Sequence, residues 1–384
     1  MINLVNNTIG NDEIDKLIVW LKKYPHLTKG SKTIEFEEKF SNWIGTEFSV
    51  FCNSGSSANL LMLHAIKEKI APRKNLQKVV VPAVAWATDL SPVMQLGMQP
   101  IICDCNLDDL SVDLGMLEDI FIKENPIAVI LVSILGLVPQ MDDILKLCDD
   151  HNVILLEDSC ESVGSMYKDK KLGNFGMMST FSTYYGHHFS TIEGGFINTN
   201  DKNLYELLLS LRSHGWDRDL SERSKFEIRK KWGVSEFDSL YTFYYPAYNF
   251  RSTDLQAFIG INQIDNLNKW VVKRQKNFLT YNSHLKNSYW MPKLSPEDYI
   301  SNFAYPVIHP NKKIIIEKLQ NNDIEVRPLV CGSMGTQPFY VKQYGMLKLK
   351  NASVVDNMGF YVPNHPQLSK SDIVFICNII NSCI

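Results

Sequence analysis

The chain opens with two helical patterns and then changes period. In NDEIDKLIVWLKKY the apolar positions Ile14, Leu17, Ile18 and Leu21 fall on one helical face, with acidic residues in the first turn to complement the helix dipole. A second helix carries Phe36, Phe40 and Trp43 at i, i+4 and i+7, and Gly45 is its expected stop. From Phe48 to about Asn200, short apolar runs alternate with helical ones: SVFC, ANLLMLHAI, KVVVP, QPIICD, AVILVS, MDDILKLCDD, NVILLED and GGFINT. Apolar strands separated by helices predict parallel strands, joined by crossovers and covered on both faces. Ligands of such sheets lie beyond the carboxyl ends of the strands. The polar clusters Asn53-Ser54-Gly55-Ser56-Ser57 and Glu157-Asp158, and Trp86, each follow an apolar run.

After LRSHGWDRDL comes a polar, aromatic stretch to about Asn249. A long helix is expected from near Ser252 through LQAFIGINQIDNLNKWVVKRQKNF, leading to the segments YPVI, KKIIIEKLQ and IEVRPL. This order predicts an α/β protein with a large domain over residues 1–250 and a smaller α+β domain over residues 251–384. There is no internal repeat and no low-complexity tail.

At 384 residues and 45% hydrophobic content the chain can bury a large core. The net charge of -3, from 39 basic and 42 acidic side chains, leaves no positive excess for a phosphate backbone, so nucleic acid is not expected as a partner. Eight cysteines lie scattered without the dense spacing of a disulfide scaffold. The amino terminus has no basic-then-apolar signal, and no apolar run reaches the roughly 18–20 residues of a membrane span. A reduced, cytoplasmic protein is the expectation.

Three segments carry candidate chemistry. Asn53-Ser54-Gly55-Ser56-Ser57-Ala58-Asn59 links a strand to a helix, where small residues present backbone N–H groups and hydroxyls at a positive helix end. That suits a phosphate, although Ser-Gly turns also simply cap helices. Neither GxGxxG nor GxxxxGK[ST] occurs, which argues against a nicotinamide or P-loop enzyme. Glu157, Asp158 and Glu161 stand at the end of a buried strand, where an unpaired carboxylate is costly. A protonated pyridine nitrogen is one suitable partner, and capping of the next turn is the bland alternative.

In STYYGHH, Ser182 is followed five residues later by His187, an imidazole able to move a proton near neutral pH. The pair His187-His188 is poor as a metal site, lacking a third ligand at standard spacing, and no HExxH is present. Arg212, His214, Trp216 and Arg218 cluster in sequence, and Arg327 lies in IEVRPLV. Guanidinium groups suit diphosphates and carboxylates, with surface salt bridging as the alternative for any single arginine.

Taken in order, LTKGSKTIEFEEKF, CNSGSSANLL, VPAVAWATD, EDSCESVGS, FSTYYGHH, EGG, RSHGWDRD, YNFRSTDLQAFIG and EVRPL resemble the DegT/DnrJ/EryC1/StrS sugar aminotransferase family across nearly the whole chain. The resemblance implies an aspartate aminotransferase-like fold, with a mostly parallel seven-stranded sheet in its large domain, and pyridoxal phosphate as cofactor. Most of that family has, five residues after the serine, a lysine that binds the cofactor covalently. Here the position is His187. This histidine is carried by branches that remove the C3 hydroxyl of nucleotide sugars. One branch adds an iron–sulfur cluster on cysteines downstream of the histidine; only Cys331, Cys377 and Cys383 lie downstream here, so neither the cluster nor its reductase is expected.

Carried over residue by residue, the resemblance gives Gly55, Ser56 and Ser182 to the cofactor phosphate, Trp86 to the ring face, and Asp158 with Glu161 to the pyridine nitrogen. Asn249 would reach the phosphate from the other subunit, implying a homodimer with shared sites. His214, Arg218 and Arg327 are the substrate-binding candidates, and His187 is the catalytic base. The implied reaction is C3 dehydration of a GDP-4-keto-6-deoxy sugar. Glutamate would convert noncovalently held pyridoxal phosphate to pyridoxamine phosphate, with release of 2-oxoglutarate and ammonia, in 3,6-dideoxy sugar synthesis for a surface polysaccharide. A C4 aminotransferase, the same dehydration on a heptose, a noncatalytic binder and a metal hydrolase are the competing readings. The GSMGTQP stretch from Gly332 departs from the Gly-Asn found in many relatives.

Overall fold

The computed structural model describes residues 1–70, 77–286 and 289–383. Helices α1 (Asn11–Leu21) and α2 (Ser31–Ile44) precede the sheet. Then β1 (Phe48–Cys52), α3 (Gly55–Ile70), β2 (Lys78–Pro82), α4 (Ala87–Gln95), β3 (Gln99–Cys103), α5 (Leu114–Glu124), β4 (Ala128–Val132), α6 (Met141–Asp150) and β5 (Ile154–Asp158) alternate. A small hairpin, β6 (Met166–Tyr167) and β7 (Lys170–Lys171), precedes β8 (Met178–Ser182) and β9 (Gly195–Thr199). The central sheet has seven strands in the order β1-β9-β8-β5-β4-β2-β3.

Neighbours from β8 through β3 run parallel, whereas β9 is antiparallel to both β1 and β8. The expected parallel alternation thus gives way at β9. Residues 183–194, which join β8 to β9, form no helix, and a parallel return needs a crossover. As a result the carboxyl ends of β1, β8, β5, β4 and β2 share one edge of the sheet with the amino end of β9.

The two opening helices behave differently. Phe36 and Phe40 of α2 are fully buried with Phe51, Phe181, Phe189 and Phe196, and Phe40 stacks on Phe196 at 4.1 Å between centroids. Gly45, at φ 99°, ends α2 in the left-handed conformation. The apolar face of α1 forms as the spacing predicts, yet α1 buries no residue within this chain; Ile14 and Ile18 are 42% and 45% exposed.

Helices α7 (Lys202–Arg212) and α8 (Glu222–Trp232) lead to the long α9 (Asp254–His284), capped by Thr253. Its Asp254 carboxylate accepts from the amides of Gly30 (2.7 Å) and Thr33 (2.9 Å), tying the starts of α9 and α2 together. Beyond α9 come β10 (Asp298–Tyr299), β11 (Ala304–Ile308), α10 (Lys312–Asn321), β12 (Arg327–Pro328), α11 (Pro338–Tyr344), α12 (Lys350–Met358), β13 (Gly359–Pro363) and α13 (Lys370–Asn381). A second, antiparallel sheet runs β11-β13-β12. The fold is therefore α/β, with a mostly parallel seven-stranded sheet and a smaller α+β part. The amino terminus joins that part: Ile2 bridges Ile324, and the Leu4 amide donates to Glu325 Oε2 at 3.0 Å. Among the described residues, no helix is long and apolar enough to cross a membrane.

Candidate active site

A cavity of about 620 Å³ opens at the shared edge of the central sheet, between it and the small antiparallel sheet. Its walls include Ser54, Gly55 and Ser56 after β1, Trp86 and Asp89 after β2, and Asp158, Cys160 and Glu161 at and after β5. Ser182 closes β8, His187 comes from the loop that follows, and Phe303, Arg327 and Tyr361 come from the small sheet side.

The first turn of α3 faces the cavity. Ser54 Oγ accepts from the Ser57 amide at 3.0 Å, and the amides of the opening turn of a helix have no intrahelical partner. A Cβ on Gly55 would lie 2.7 Å from Ser182 Cβ and 3.3 Å from Cys160 Sγ, so only glycine lets this turn approach the end of β8. Gly195 is equally constrained, since a Cβ there would stand 2.5 Å from the Ser54 backbone. Ser54 therefore caps α3, the alternative that the sequence left open for this segment.

Alternation along β5 separates its two terminal carboxylates. Glu157 accepts from the amides of Gly173, Phe175 and Gly176 at 2.6–2.7 Å and is structural. Asp158 points into the cavity, where its Oδ1 accepts from the Cys160 amide (2.9 Å) and its Oδ2 from Asn59 Nδ2 (2.7 Å). Glu161 also lines the cavity and accepts from the Leu135 amide at 2.7 Å; burial pushes its carboxyl up to about 7. Leu135 is held at φ 51°, a conformation a leucine rarely adopts without such support.

The two adjacent histidines separate in the same way. His188 is buried in the core, with Nε2 2.9 Å from the Ser301 carbonyl oxygen. His187 faces the cavity, its ring 5.2 Å from Phe303 and 6.4 Å from Tyr184. Burial lowers its pKa to about 4, with the charge of Asp158 opposing and that of Arg274 reinforcing the shift. The loop is pinned at its base: the Thr183 amide donates to Gly194 O and the Thr191 amide to Thr183 O, both at 2.9 Å.

Eight of the residues expected from the sequence therefore line one cavity: Gly55, Ser56, Trp86, Asp158, Glu161, Ser182, His187 and Arg327. Arg327 pairs there with Glu325. Three do not. His214 and Arg218 pack on Trp216, with the Arg218 guanidinium 3.7 Å from the ring, and Asn249 is exposed beside Ser213. Asn59, Asp89 and the amino-terminal residues Asn3, Leu4 and Val5 were not expected at the site. Asn59 and Asp89 stood inside the quoted segments; nothing in the sequence pattern marks residues 3–5. Among the described residues, no group of three or more His, Cys, Asp or Glu is placed to hold a metal ion.

This donor set fits a phosphorylated pyridine ring: a helix start for the phosphate, an indole for the ring face and a carboxylate for the ring nitrogen. Among the described residues, no lysine lines the cavity.

Comparison with known proteins agrees. GDP-4-keto-6-deoxy-D-mannose 3-dehydratase from Escherichia coli O55:H7 is 32% identical over 347 residues, covering 88% of this chain and 89% of that protein. The enzyme of the same name from Yersinia pseudotuberculosis is 31% identical, covering 88% of each. The E. coli GDP-4-keto-6-deoxy-D-mannose-3-dehydratase with bound hydrated PLP superposes with a TM-score of 0.89 at 30% identity, over 99% of both chains. GDP-4-keto-6-deoxymannose-3-dehydratase with a trapped PLP-glutamate geminal diamine gives the same score and identity over 99% of this chain and 100% of that one. The pattern of the DegT/DnrJ/EryC1/StrS aminotransferase family matches residues 8–381, and the chain belongs to that family.

Proposed function

We propose that this protein is a pyridoxal phosphate-dependent 3-dehydratase of a GDP-4-keto-6-deoxy hexose, with glutamate as amino donor and 2-oxoglutarate and ammonia as by-products. The observation that carries this reading is His187: an imidazole, not an amine, stands at the wall of a cavity otherwise equipped for the cofactor. The relatives named as GDP-4-keto-6-deoxy-D-mannose 3-dehydratases supply the substrate class.

When bound, the cofactor in its amine form supplies a primary amine for the sugar's C4 ketone and an electron sink. Gly55, Ser56 and Ser182 would hold the phosphate, Trp86 would cover the ring, and Asp158 with Glu161 would face its nitrogen. His187 is the general base. Its lowered pKa keeps the imidazole neutral at physiological pH, ready to accept a proton and to return one to the departing C3 hydroxyl. A histidine cannot form the covalent cofactor bond that a lysine would, which favours elimination over retention of nitrogen. Arg327 offers a guanidinium to the substrate at the cavity mouth.

This reading takes residues 1–250 as the cofactor domain and residues 251–384 as the smaller one. It includes a homodimer, in which His214, Arg218 and Asn249 complete the site of the partner subunit. Their position outside their own chain's cavity and the uncovered apolar face of α1 support it. All eight cysteines are free, which suits a cytoplasmic enzyme making a precursor for surface polysaccharide.

The test is incubation with pyridoxal phosphate, glutamate and GDP-4-keto-6-deoxy-mannose, following 2-oxoglutarate, ammonia and sugar mass together. The expected product has lost oxygen and gained no nitrogen. A product that keeps nitrogen, with no ammonia released, would make the protein an aminotransferase.

A further inference from the structure

Behind the cavity wall lies a buried polar relay. Asn59, 1% exposed, donates through Nδ2 to Asp158 Oδ2 at 2.7 Å and to Asp89 Oδ1 at 3.3 Å. Its Oδ1 accepts from Thr180 Oγ1 at 2.5 Å. The opposite orientation of this amide would set its oxygen against two carboxylates, so the orientation is fixed by chemistry. Asp89, fully buried, accepts from the Trp86 amide through Oδ2 at 2.9 Å. One continuous chain of contacts thus runs from Trp86 through Asp89 and Asn59 to Asp158.

We propose that Asn59 and Asp89 are positioning residues that lock Trp86 and Asp158, the ring-face and ring-nitrogen partners of the cofactor, into one rigid unit. This rests on the cofactor reading above and extends it to two residues that do not carry the chemistry themselves. The relay also requires a particular charge state. Two buried carboxylates sharing one amide cannot both ionise without a cation between them. The titratable groups facing the pair are Glu161 and Cys160 from the turn after β5, His187 from the loop after β8 and Cys331 from the small-sheet side; Arg274 of α9 acts on His187. Among the described residues, none is a cation bonded to either carboxylate. Burial first, and the Asp158 charge second, hold the Asp89 carboxyl well above its ordinary range. Burial thus favours the neutral, protonated form of the Asp89 carboxyl.

The variants Asn59→Leu, Asp89→Ala and Asp89→Asn test this in the full-length protein. Pyridoxal phosphate binding is titrated, and the absorption of the bound cofactor is followed against pH. The infrared carbonyl stretch of a protonated Asp89 is sought in cofactor-free protein as the wild-type-minus-Asp89→Asn difference, because Glu161, pushed up to about 7, adds a carbonyl band of its own. Asn59→Leu and Asp89→Ala are expected to weaken binding by ~10-fold or more and to move the spectral transition of the bound ring to lower pH, as Asp158 loses its alignment. Asp89→Asn, a neutral mimic of the acid, should stay within about twofold of wild type while removing the Asp89 band and leaving that of Glu161.

Asp89→Asn as damaging as Asp89→Ala, or a cofactor-free wild type without the Asp89 band, overturns the proposal. So does Asn59→Leu with wild-type affinity and spectrum. If Asn59→Leu does not fold, the paired Asp89 variants and the infrared band decide alone. A wild-type protein that binds no pyridoxal phosphate sinks the cofactor reading itself, while the infrared band still reports the Asp89 proton.

Discussion

The rings of His187 and Phe303 lie 5.2 Å apart and 44° from parallel, so the base has an aromatic wall contributed by the segment leading into β11. That wall belongs to the burial that lowers the histidine to about 4. His187 should therefore add no acidic limb to kcat/KM between about pH 5 and 8. Phe303→Ala admits water and lets the pKa climb back toward its ordinary 6.5. The imidazole is then increasingly protonated below that pH, and an acidic limb should appear between pH 4 and 6.5. Asp158 and Arg274 pull the group in opposite directions and remain in the variant, so an unchanged profile would show that Phe303 does not control His187.

Gly55→Ala should damage the cofactor site directly. The new methyl would lie 2.7 Å from Ser182 Cβ and 3.2 Å from its hydroxyl, displacing a hydroxyl expected on the phosphate. Pyridoxal phosphate affinity should fall at least ~10-fold, with a stability loss of about 1–3 kcal/mol from overpacking. Gly115→Ala in α5 is the control: its nearest new contact is an ordinary 3.5 Å, and alanine favours helices. Titration of the cofactor and thermal melts of both variants check the contrast; equal affinities would remove Gly55 from the phosphate site.

Much of this site was legible because it sits at the ends of strands. Asp158 closes a run whose apolar character marks it as buried, and Gly55 and Ser56 open a helix, so sheet geometry brings them to one edge. Ser182 ends the strand MSTFS, whose polar residues give no such mark, and stood out only by its spacing to His187 and by the family resemblance. The relay was less legible. Asn59 was visible as part of a Ser-Gly turn, but its partners lie 30 and 99 residues away in sequence, and no periodicity encodes such a pairing. Residues 3–5 reach the cavity because Ile2 adds to the chain at Ile324, a long-range pairing with no local signal. The antiparallel β9 and the bare face of α1 likewise depend on a connection and on packing, which apolar spacing does not report.

His187→Lys reverses the feature that sets this chain apart from most of its family. The lysine amine should trap the cofactor in a borohydride-reducible covalent bond and suppress loss of the C3 oxygen. Mass analysis of the protein after reduction and of the sugar after turnover checks both halves. Dehydration at the wild-type rate would show that His187 is not the base.

The shared site can be tested by mixing two inactive proteins. His187→Asn lacks the base but keeps Asn249, and Asn249→Ala lacks the exposed amide but keeps His187. If Asn249 serves the partner's site, a hybrid dimer has one site lacking both groups and one site with both intact. Random reassortment makes about half the dimers hybrids, so roughly a quarter of the sites should be active. If Asn249 served its own subunit, every site in every hybrid would still lack one group and the mixture would stay inactive. The placement of Asn249 outside the cavity of its own chain favours the first outcome. The measurement is ammonia release before and after subunit exchange, with sedimentation confirming the dimer.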